Sequence, residues 1–486
     1  MRPLRPGPAG AAALLLVGAL AACGQMESAG PLRSVADARP SSAPECTPAP
    51  LKARAAVVLH VGLAEVTEPD DPLLAEVVDL GVGGIFVNDG NIEDEEQLAA
   101  LVAGIREQAA GRPLLLSTDE EAGRVSDFRS LIGGTPSPRR LASRSTPAQV
   151  RAFAADLGAQ LREHGVDLDL APLLDLDAGR SDGIIGDRAF SGDPDEAAEY
   201  GLAFARGLDD AGVIPTVKHF PGHGRSTTDT HREGTVVDAT LEELRETDLA
   251  PFQEAVDAGA PVVMLNHLSY AALDPDLPAS MSPRTYALLR DMGFDGVAMT
   301  DSIGMGAIYP ERDFPEAAVD AIAAGADTVL ASGAVLRVDP TAATRMRDAL
   351  VDAVRDGRLP ESRLDEAAAR VVALAGGDPV AFACVEKTVP VLQDDPATAT
   401  ADTPATPATT SATATPAPAR SASPAAAPAR APGAPAPATT SAAPSRSSTP
   451  SPNASASPSA SPSAPAGADA GTVSAPASDS TDDDVV

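Results

Sequence analysis

The sequence contains only three lysines, Lys52, Lys218 and Lys387, although lysine and arginine together number 36. Arginine therefore supplies nearly all of the surface cations. A lysine kept in the middle of the chain, as Lys218 is, is expected to be needed for its own chemistry. Basic residues are also outnumbered by acidic ones, 36 against 69, so the formal net charge is −33. This balance argues against nucleic acid as a partner.

Residues 386–486 lack aromatic side chains and consist almost entirely of Ala, Pro, Ser and Thr. Such a segment cannot bury enough apolar surface to offset the entropy lost on ordering, so we expect a disordered tail. Its many Thr-Pro and Ser-Pro pairs suit a spacer or a carrier of O-linked glycans. We expect no catalytic role for it.

The N-terminal apolar run, residues 9–20, is too short to span a bilayer as a mature helix. Two arginines precede it and Leu20-Ala21-Ala22-Cys23 follows, which resembles a bacterial lipobox. The pattern predicts a signal peptide over residues 1–22, lipid on the thiol of Cys23, and a linker over residues 23–48. Two acyl chains would hold the exported protein on the outer face of the cytoplasmic membrane. The alternative is a signal cut elsewhere, with Cys23 free.

Short apolar runs alternate with amphipathic helical patterns across one domain, residues 49–385. The runs are rich in Val, Ile and Leu, as expected of strands buried on both faces of a parallel sheet. Eight strand–helix units over about 330 residues fit a (β/α)8 TIM-type barrel. The alternative is an open doubly wound sheet, but no Gly-rich dinucleotide motif follows the first strand. The predicted strands cover residues 55–61, 84–87, 113–118, 167–173, 213–217, 262–265, 296–300 and 327–331.

The helical patterns between the strands carry their own end signals. The helix predicted over residues 146–163 has Thr146 as its N-cap and Pro147 at its first position. Glycines follow several of the helix ends, where a left-handed backbone conformation is favoured. The other predicted helices cover residues 92–110, 195–211, 241–258 and 283–292.

Polar residues are concentrated after the fifth predicted strand, in Lys218-His219-Phe220-Pro221-Gly222-His223-Gly224 and then Asp229-Thr230-His231. Proline and glycine exclude a helix there, so these residues are predicted to lie on a loop that leaves the C-terminal end of a strand. Parallel α/β folds place their active sites at such ends. A lone histidine is more often a core residue, but three on one loop indicate function.

Other strand ends are polar too. Asp119 to Val125 follow the third strand, Asp175 and Asp177 the fourth, and Asn266 and His267 the sixth. Asp301 directly follows the seventh strand, which predicts a carboxylate at the mouth of the barrel. Its type and position alone leave two roles open, a nucleophile and a structural helix N-cap.

These motifs resemble the signature of family 3 glycoside hydrolases of the β-N-acetylglucosaminidase type, and most of all an actinobacterial lipoprotein branch. The similarity covers nearly the whole domain and includes residues 119–124, 171–175, 185–190, 264–267 and 301–305. The sequence differs from the family pattern at Thr230, where serine is usual, and at Ala122, where glycine is common. The resemblance implies catalytic and sugar-binding roles for seven residues. Asp301 would be the nucleophile, His231 the general acid/base and Asp229 its orienting partner, and Asp119, Arg188, Lys218 and His219 would hold the sugar hydroxyls.

The implied reaction is retaining hydrolysis of terminal, non-reducing β-linked N-acetylglucosamine, without cofactor or metal and with the protein as a monomer. Histidine titrates near neutrality, and a nearby carboxylate can orient it as a proton donor. Peptidoglycan fragments are the expected substrate, because an enzyme anchored by lipid would lie inside the cell wall. The alternatives are a β-glucosidase or a phosphorylase of the same family, a metal-binding protein, and a non-catalytic glycan-binding lipoprotein.

Two cysteines remain after Cys23. Cys46 precedes the first predicted strand and Cys384 follows the last helix. An exported protein meets an oxidising environment, and a closed barrel brings its two ends together. We therefore expect a Cys46–Cys384 disulfide, with two free thiols as the alternative.

Overall fold

The structure is a computed structural model, and it describes residues 46–177, 183–226, 230, 232 and 234–394. Several predictions fall outside the described residues, namely the signal peptide over 1–22, the lipidation of Cys23, and most of the 386–486 tail. The strands within the described ranges are β1 (Leu59–Gly62), β2 (Gly84–Phe86), β3 (Leu115–Thr118), β4 (Glu120–Ala122), β5 (Val125–Ser126), β6 (Leu168–Asp169), β7 (Ile214–Phe220), β8 (Val236–Val237), β9 (Val262–Leu265), β10 (Ser269–Tyr270), β11 (Val297–Thr300) and β12 (Val329–Ala331).

Helices alternate with these strands along the chain. Single 3₁₀ turns occur at Asp89–Asn91, Gly186–Arg188 and Ala279–Met281. The α-helices in the described ranges are α1 (Leu51–Val57), α2 (Pro72–Leu80), α3 (Glu95–Ala109), α4 (Arg129–Ile132), α5 (Pro138–Ala142), α6 (Pro147–Glu163), α7 (Pro194–Asp210), α8 (Leu241–Glu246), α9 (Ala250–Asp257), α10 (Pro283–Asp291), α11 (Phe314–Ala324), α12 (Gly333–Val338), α13 (Ala342–Arg355), α14 (Glu361–Leu374) and α15 (Pro379–Ala383).

Eight parallel strands form the central sheet, in the spatial order β11-β9-β7-β6-β3-β2-β1-β12. A parallel bridge between Met299 and Thr328 joins β11 to the chain just before β12. The amide of Asp327 also donates to the carbonyl of Ala298, at 2.8 Å. These contacts close the sheet into a (β/α)8 barrel, which confirms the predicted fold and makes the open-sheet alternative wrong.

Two layers of apolar side chains stabilise the barrel. One fills its interior and includes Phe86, Leu115, Leu170, Met264 and Leu330. The other lies between the strands and the surrounding helices. Inward and outward positions alternate along each strand, so a short strand contributes to both layers. This alternation also decides which polar side chains at the strand ends face the barrel mouth.

Two predicted elements differ from the structure. The strand predicted over residues 55–61 begins only at Leu59, because Leu51–Val57 forms α1, which packs against α13 and α14. Alanine, arginine and leucine in that segment are good helix formers. The helix predicted over 241–258 is broken at Thr247, where φ is −128° and ψ is −86°. The break turns Asp248 into the protein, where its carboxylate pairs with Arg225 at 2.6 Å.

The predicted start of α6 is confirmed in detail. Thr146 is the N-cap, and its hydroxyl accepts a hydrogen bond from the amide of Gln149. The side-chain oxygen of Gln149 in turn accepts a hydrogen bond from the Thr146 amide, which completes a capping box. Pro147 occupies the first helical position. Across the described ranges, the helices are all too short or too polar to cross a membrane.

A disulfide joins Cys46 to Cys384, with their Cα atoms 5.7 Å apart. It links residues 338 positions apart and so closes a loop around the whole barrel. Constraining so long a loop removes much of the unfolded chain's entropy.

We expect the Cys46→Ser/Cys384→Ser double variant to lose roughly 2–4 kcal/mol of unfolding free energy. Denaturant unfolding of the oxidised protein and the double variant measures the difference. Alkylation of the unfolded, unreduced protein is the control. Two accessible thiols at these positions, or equal stability of the two proteins, would contradict the prediction.

Candidate active site

Lys218 and His219 lie within strand β7, which runs from Ile214 to Phe220. The prediction that this strand ends at Val217, with both residues on a loop, is wrong. The ladder continues because the amide of Lys218 donates to Pro172 and its carbonyl accepts from Leu174. The strand therefore fixes the two side chains more rigidly than a loop would.

The ammonium group of Lys218 lies between two carboxylates that follow β3, the strand on the far side of β6 from β7. It is almost fully buried, and it contacts Oδ1 of Asp119 and Oε1 of Glu121, the latter at 2.6 Å. Asp119 and Glu121 stand two positions apart at the end of β3 and in β4, so they share one face. That face is the barrel mouth.

Arg188 completes this ion cluster from the 3₁₀ turn Gly186–Arg188. Its Nε and Nη2 atoms contact the two oxygens of Glu121 at 2.6 and 2.7 Å. This is the bidentate arrangement that a guanidinium group favours with a carboxylate. Glu121 is absent from the predicted site residues, although the Asp-x-Glu spacing indicates that it shares a face with Asp119. Glu121 is the residue that holds both cations.

The cluster has opposite effects on its two carboxyl groups. Burial acts to raise the pKa of Glu121, but the charges of Arg188 and Lys218 outweigh it and hold that pKa well below its ordinary value. Burial raises the pKa of Asp119, and Lys218 offsets only part of this effect. Two cations therefore face one firmly ionised carboxylate, together with a second carboxyl group that is partly exposed at the mouth.

A second polar cluster joins β7 and the turn after it to Asp175, which lies in the segment that follows β6. The Nδ1 atom of His219 lies 2.6 Å from Oδ2 of Asp175, and the amide of His223 donates to Oδ1 at 2.6 Å. Burial opposes ionisation of Asp175, but the two histidines lower its pKa overall. Asp175 was singled out by its position after a strand, without a role. The structure gives it one, because it orients the imidazole of His219 and holds the backbone at His223.

His223 is buried beside this cluster. Burial lowers its pKa to about 4, although the carboxylates of Asp175 and Asp301 act in the opposite direction. It is therefore a neutral imidazole near pH 7. Its Nε2 atom lies 3.2 Å from the hydroxyl of Thr230.

The turn after β7 is supported from β9 and the residues that follow it. The Asn266 side chain donates to the carbonyl of His219 at 3.0 Å, and the Tyr270 hydroxyl donates to the carbonyl of Gly222 at 2.7 Å. Gly222 has a φ of 122°, and a Cβ there would lie 2.7 Å from Cβ of Asp248. Only glycine suits this position.

Asp301 follows β11 directly, as the sequence predicts. Its amide donates to the carbonyl of Leu265 at 2.8 Å, which extends the ladder with β9. Its Oδ1 atom accepts a hydrogen bond from the amide of Ser302 at 2.7 Å. His267 packs behind this turn, with Nε2 2.8 Å from the carbonyl of Ser302. His267 is thus a satisfied core histidine that supports the Asp301 segment.

Asp229 and His231 lie outside the described residues. Thr230 is described: besides its contact with His223, its carbonyl accepts a hydrogen bond from the amide of Ala307, at 3.0 Å. Ala307 belongs to the segment that follows Asp301. Within the described ranges, acidic, histidine and cysteine side chains form no group of three or more arranged to hold a metal ion.

The fold and this site define a class of protein, a (β/α)8-barrel enzyme with carboxylates, cations and imidazoles at the C-terminal rim of its strands. Residues 57–374 match the model of the glycosyl hydrolase family 3 N terminal domain. The chain therefore belongs to glycosyl hydrolase family 3, and it is a glycoside hydrolase of the β-hexosaminidase type.

Named relatives and solved structures agree with this assignment. The chain is 39% identical to beta-hexosaminidase LpqI of Mycobacterium tuberculosis over 336 residues, which is 67% of this chain and 82% of that protein. The structure of M. tuberculosis LpqI is similar with a TM-score of 0.62, over 69% of this chain and 98% of that chain, at 37% identity. A family 3 β-N-acetylglucosaminidase from Paenibacillus sp. str. FPU-7 gives a TM-score of 0.64, over 71% of this chain and 65% of that chain, at 32% identity.

Proposed function

We propose that the protein is a retaining exo-β-N-acetylglucosaminidase that hydrolyses terminal, non-reducing β-linked N-acetylglucosamine. The observation that carries the proposal is the shared location of Asp301 and the Asp119–Lys218–Glu121–Arg188 cluster at one barrel rim. The names of the relatives, beta-hexosaminidase and β-N-acetylglucosaminidase, support the same substrate class.

In the first step, the carboxylate of Asp301 attacks the anomeric carbon while the bond to the leaving oxygen breaks. His231 gives its proton to that oxygen, and Asp229 stabilises the imidazolium form from which the proton comes. Water then attacks the glycosyl-enzyme, its proton passes to His231, and Asp301 is released as a carboxylate. Two inversions at one carbon retain the β-configuration.

Histidine suits the proton transfer because its ordinary pKa lies near neutrality, so it can both donate and accept there. Thr230, the residue between Asp229 and His231 in the sequence, is anchored to His223 and to Ala307. These two contacts tie Thr230 to the turn that follows β7 and to the segment after Asp301. They support a role for the dyad at the same rim.

The sugar is held by Asp119, Arg188, Lys218 and His219 in this proposal. Asp119 is the most accessible carboxylate of the cluster, with 29% of its side chain exposed, so it can accept hydrogen bonds from hydroxyl groups. Lys218 has three donors, of which the carboxylates use two. Arg188 is engaged by Glu121 on Nε and Nη2, and its Nη1 donates one long hydrogen bond, of 3.4 Å, to the carbonyl of Ile184. The guanidinium has five N–H donors, so N–H groups remain for the sugar.

We further propose that the enzyme acts outside the cytoplasmic membrane on peptidoglycan fragments, as part of cell-wall turnover. The support is the lipobox-like Leu20-Ala21-Ala22-Cys23. A lipid on Cys23 would keep the domain inside the wall, where β-linked N-acetylglucosamine alternates with N-acetylmuramic acid. In this organisation residues 23–48 are the linker, 49–385 the barrel and 386–486 the tail.

The test compares kcat/KM on the N-acetylglucosaminyl-muramyl disaccharide and on chitobiose, with and without phosphate. We expect higher kcat/KM on the muropeptide disaccharide, no dependence on phosphate, and the β-anomer as the first product by NMR. A strong preference for chitobiose would reject wall turnover. Phosphate-dependent release of a sugar phosphate would identify a phosphorylase, and an α-anomer would refute retention. Activity on β-glucosides alone would identify a glucosidase.

A further inference from the structure

Glu120 stands between Asp119 and Glu121, but its side chain points away from the barrel mouth. Glu120 is the first residue of β4, and its side chain is fully buried against the residues that follow β5. Its Oε2 atom accepts hydrogen bonds from the Ser126 hydroxyl at 2.8 Å and the Phe128 amide at 3.2 Å. Its Oε1 atom is also buried, and it accepts no hydrogen bond from a donor among the described residues.

A second carboxyl group with the same property lies beside it. Asp169, the last residue of β6, is fully buried, and its Oδ1 atom accepts a hydrogen bond from the Glu120 amide at 2.9 Å. Its Oδ2 atom, in turn, has no partner in the described part of the chain. Two adjacent buried carboxyl groups thus carry one unsatisfied oxygen each, and an ionised carboxylate left in that state costs several kcal/mol.

The charges around the pair do not compensate for two carboxylates. Arg129, Glu121 and Asp169 face Glu120, while Asp119 and Lys218 also face Asp169. Burial raises the pKa of Glu120 to about 7, against smaller opposing effects from its hydrogen bonds and Arg129. Burial and the neighbouring carboxylates raise the pKa of Asp169 well above its ordinary value. One proton would remove one charge and supply the missing donor.

We propose that Glu120 and Asp169 share one proton as a hydrogen-bonded pair of acid and carboxylate, which fixes the β4–β5 hairpin and thereby positions Asp119 and Glu121. Glu120 and Asp169 are positioning residues in this scheme, because neither side chain faces the barrel mouth. The activity part of the test rests on the proposed function, whereas the stability and infrared parts do not.

Glu120→Gln is the informative variant, since an amide keeps the acceptor for Ser126 and Phe128 and replaces the acid O–H by an N–H at every pH. The folded wild type holds a proton that the unfolded chain releases above pH 4.5, the ordinary pKa of the group. Stability of the wild type therefore falls as pH rises to about 7 and then levels off. We therefore compare the Tm of the wild type with that of Glu120→Gln at each pH. From pH 5 to pH 8, the wild-type Tm should fall by about 2–4 °C more than the Tm of the variant.

Infrared difference spectroscopy detects whether a carboxyl group of the pair is protonated. The wild type at pH 5 should show a carboxylic-acid C=O band that is lost in Glu120→Gln and in the wild type at pH 8. Glu107→Gln, at an exposed position on α3, is the matched control and should change neither the band nor the pH dependence of Tm. If Glu120→Gln does not fold, Asp169→Asn is measured in its place, because its amide also removes the shared proton.

Activity separates positioning from bulk stability. At pH 5, Glu120→Gln should keep kcat/KM within about twofold of the wild type, whereas Glu120→Ala should lose about 10- to 100-fold. The proposal is overturned if the amide variant keeps the wild-type pH dependence of Tm, or if the band is absent. Failure of the glycosidase assignment would leave both of those readouts intact, so the two proposals can fail separately.

Discussion

Asp301→Ala is expected to lower kcat at least about 10⁴-fold on every substrate, because no other group replaces a missing nucleophile in the glycosylation step. The fold should be retained, since the backbone of Asp301 keeps its bond to Leu265. Azide is small enough to enter the vacated space and attack the anomeric carbon from the same face. We therefore expect azide to restore turnover and to yield the α-glycosyl azide, which NMR identifies.

His231→Ala should behave differently, and the contrast defines the two roles. Aryl glycosides with good leaving groups need little protonation, so they should lose far less activity than alkyl glycosides. Asp291→Asn, at an exposed position on α10, is the control and should match the wild type. Equal losses on good and poor leaving groups would remove His231 from the acid/base role. A β-glycosyl azide from Asp301→Ala would remove Asp301 as the nucleophile.

The barrel could be predicted because its strands are buried on both faces, which makes each one a short apolar run. The strand predicted over 262–265 has those same bounds as β9. Where an apolar helix runs directly into a strand, as α1 runs into β1, the apolar pattern does not mark the boundary, because both elements are then rich in alanine, valine and leucine. Arg54, in this apolar helix, is held by ion pairs to Glu361 and Asp365, far away in sequence.

The candidate site could be predicted in its members but not in its connections. Motif position identified Asp119, Arg188 and Lys218, whereas Glu121, which joins the two cations, was not assigned a role. The contact between Arg188 and Glu121 spans 67 residues and depends on how a loop returns across the barrel mouth. Such geometry is not recorded in local sequence. The alternation of Asp119 and Glu121 along a strand was the one signal available.

The ion cluster gives the second large prediction, that Glu121→Gln destabilises the folded protein by about 3–5 kcal/mol. The glutamine is nearly the same size, but it leaves the buried charges of Lys218 and Arg188 facing only Asp119. Activity should fall by about 10²-fold as well, since both cations lose the carboxylate that positions them. Glu107→Gln, which removes an exposed carboxylate, is the control and should change the unfolding free energy by no more than about 0.5 kcal/mol.

The pH dependence of this difference shows whether charge is the cause. The pKa of Glu121 is held below its ordinary value of 4.5, so its stabilising effect is complete above that pH and is lost as pH falls toward the depressed pKa. Denaturant unfolding of both proteins should thus give the full difference at pH 7 and a smaller one below pH 4.5. Effects of other titrating groups cancel in the comparison. A difference that stays constant with pH would mean that packing, rather than the ion cluster, holds Glu121 in place.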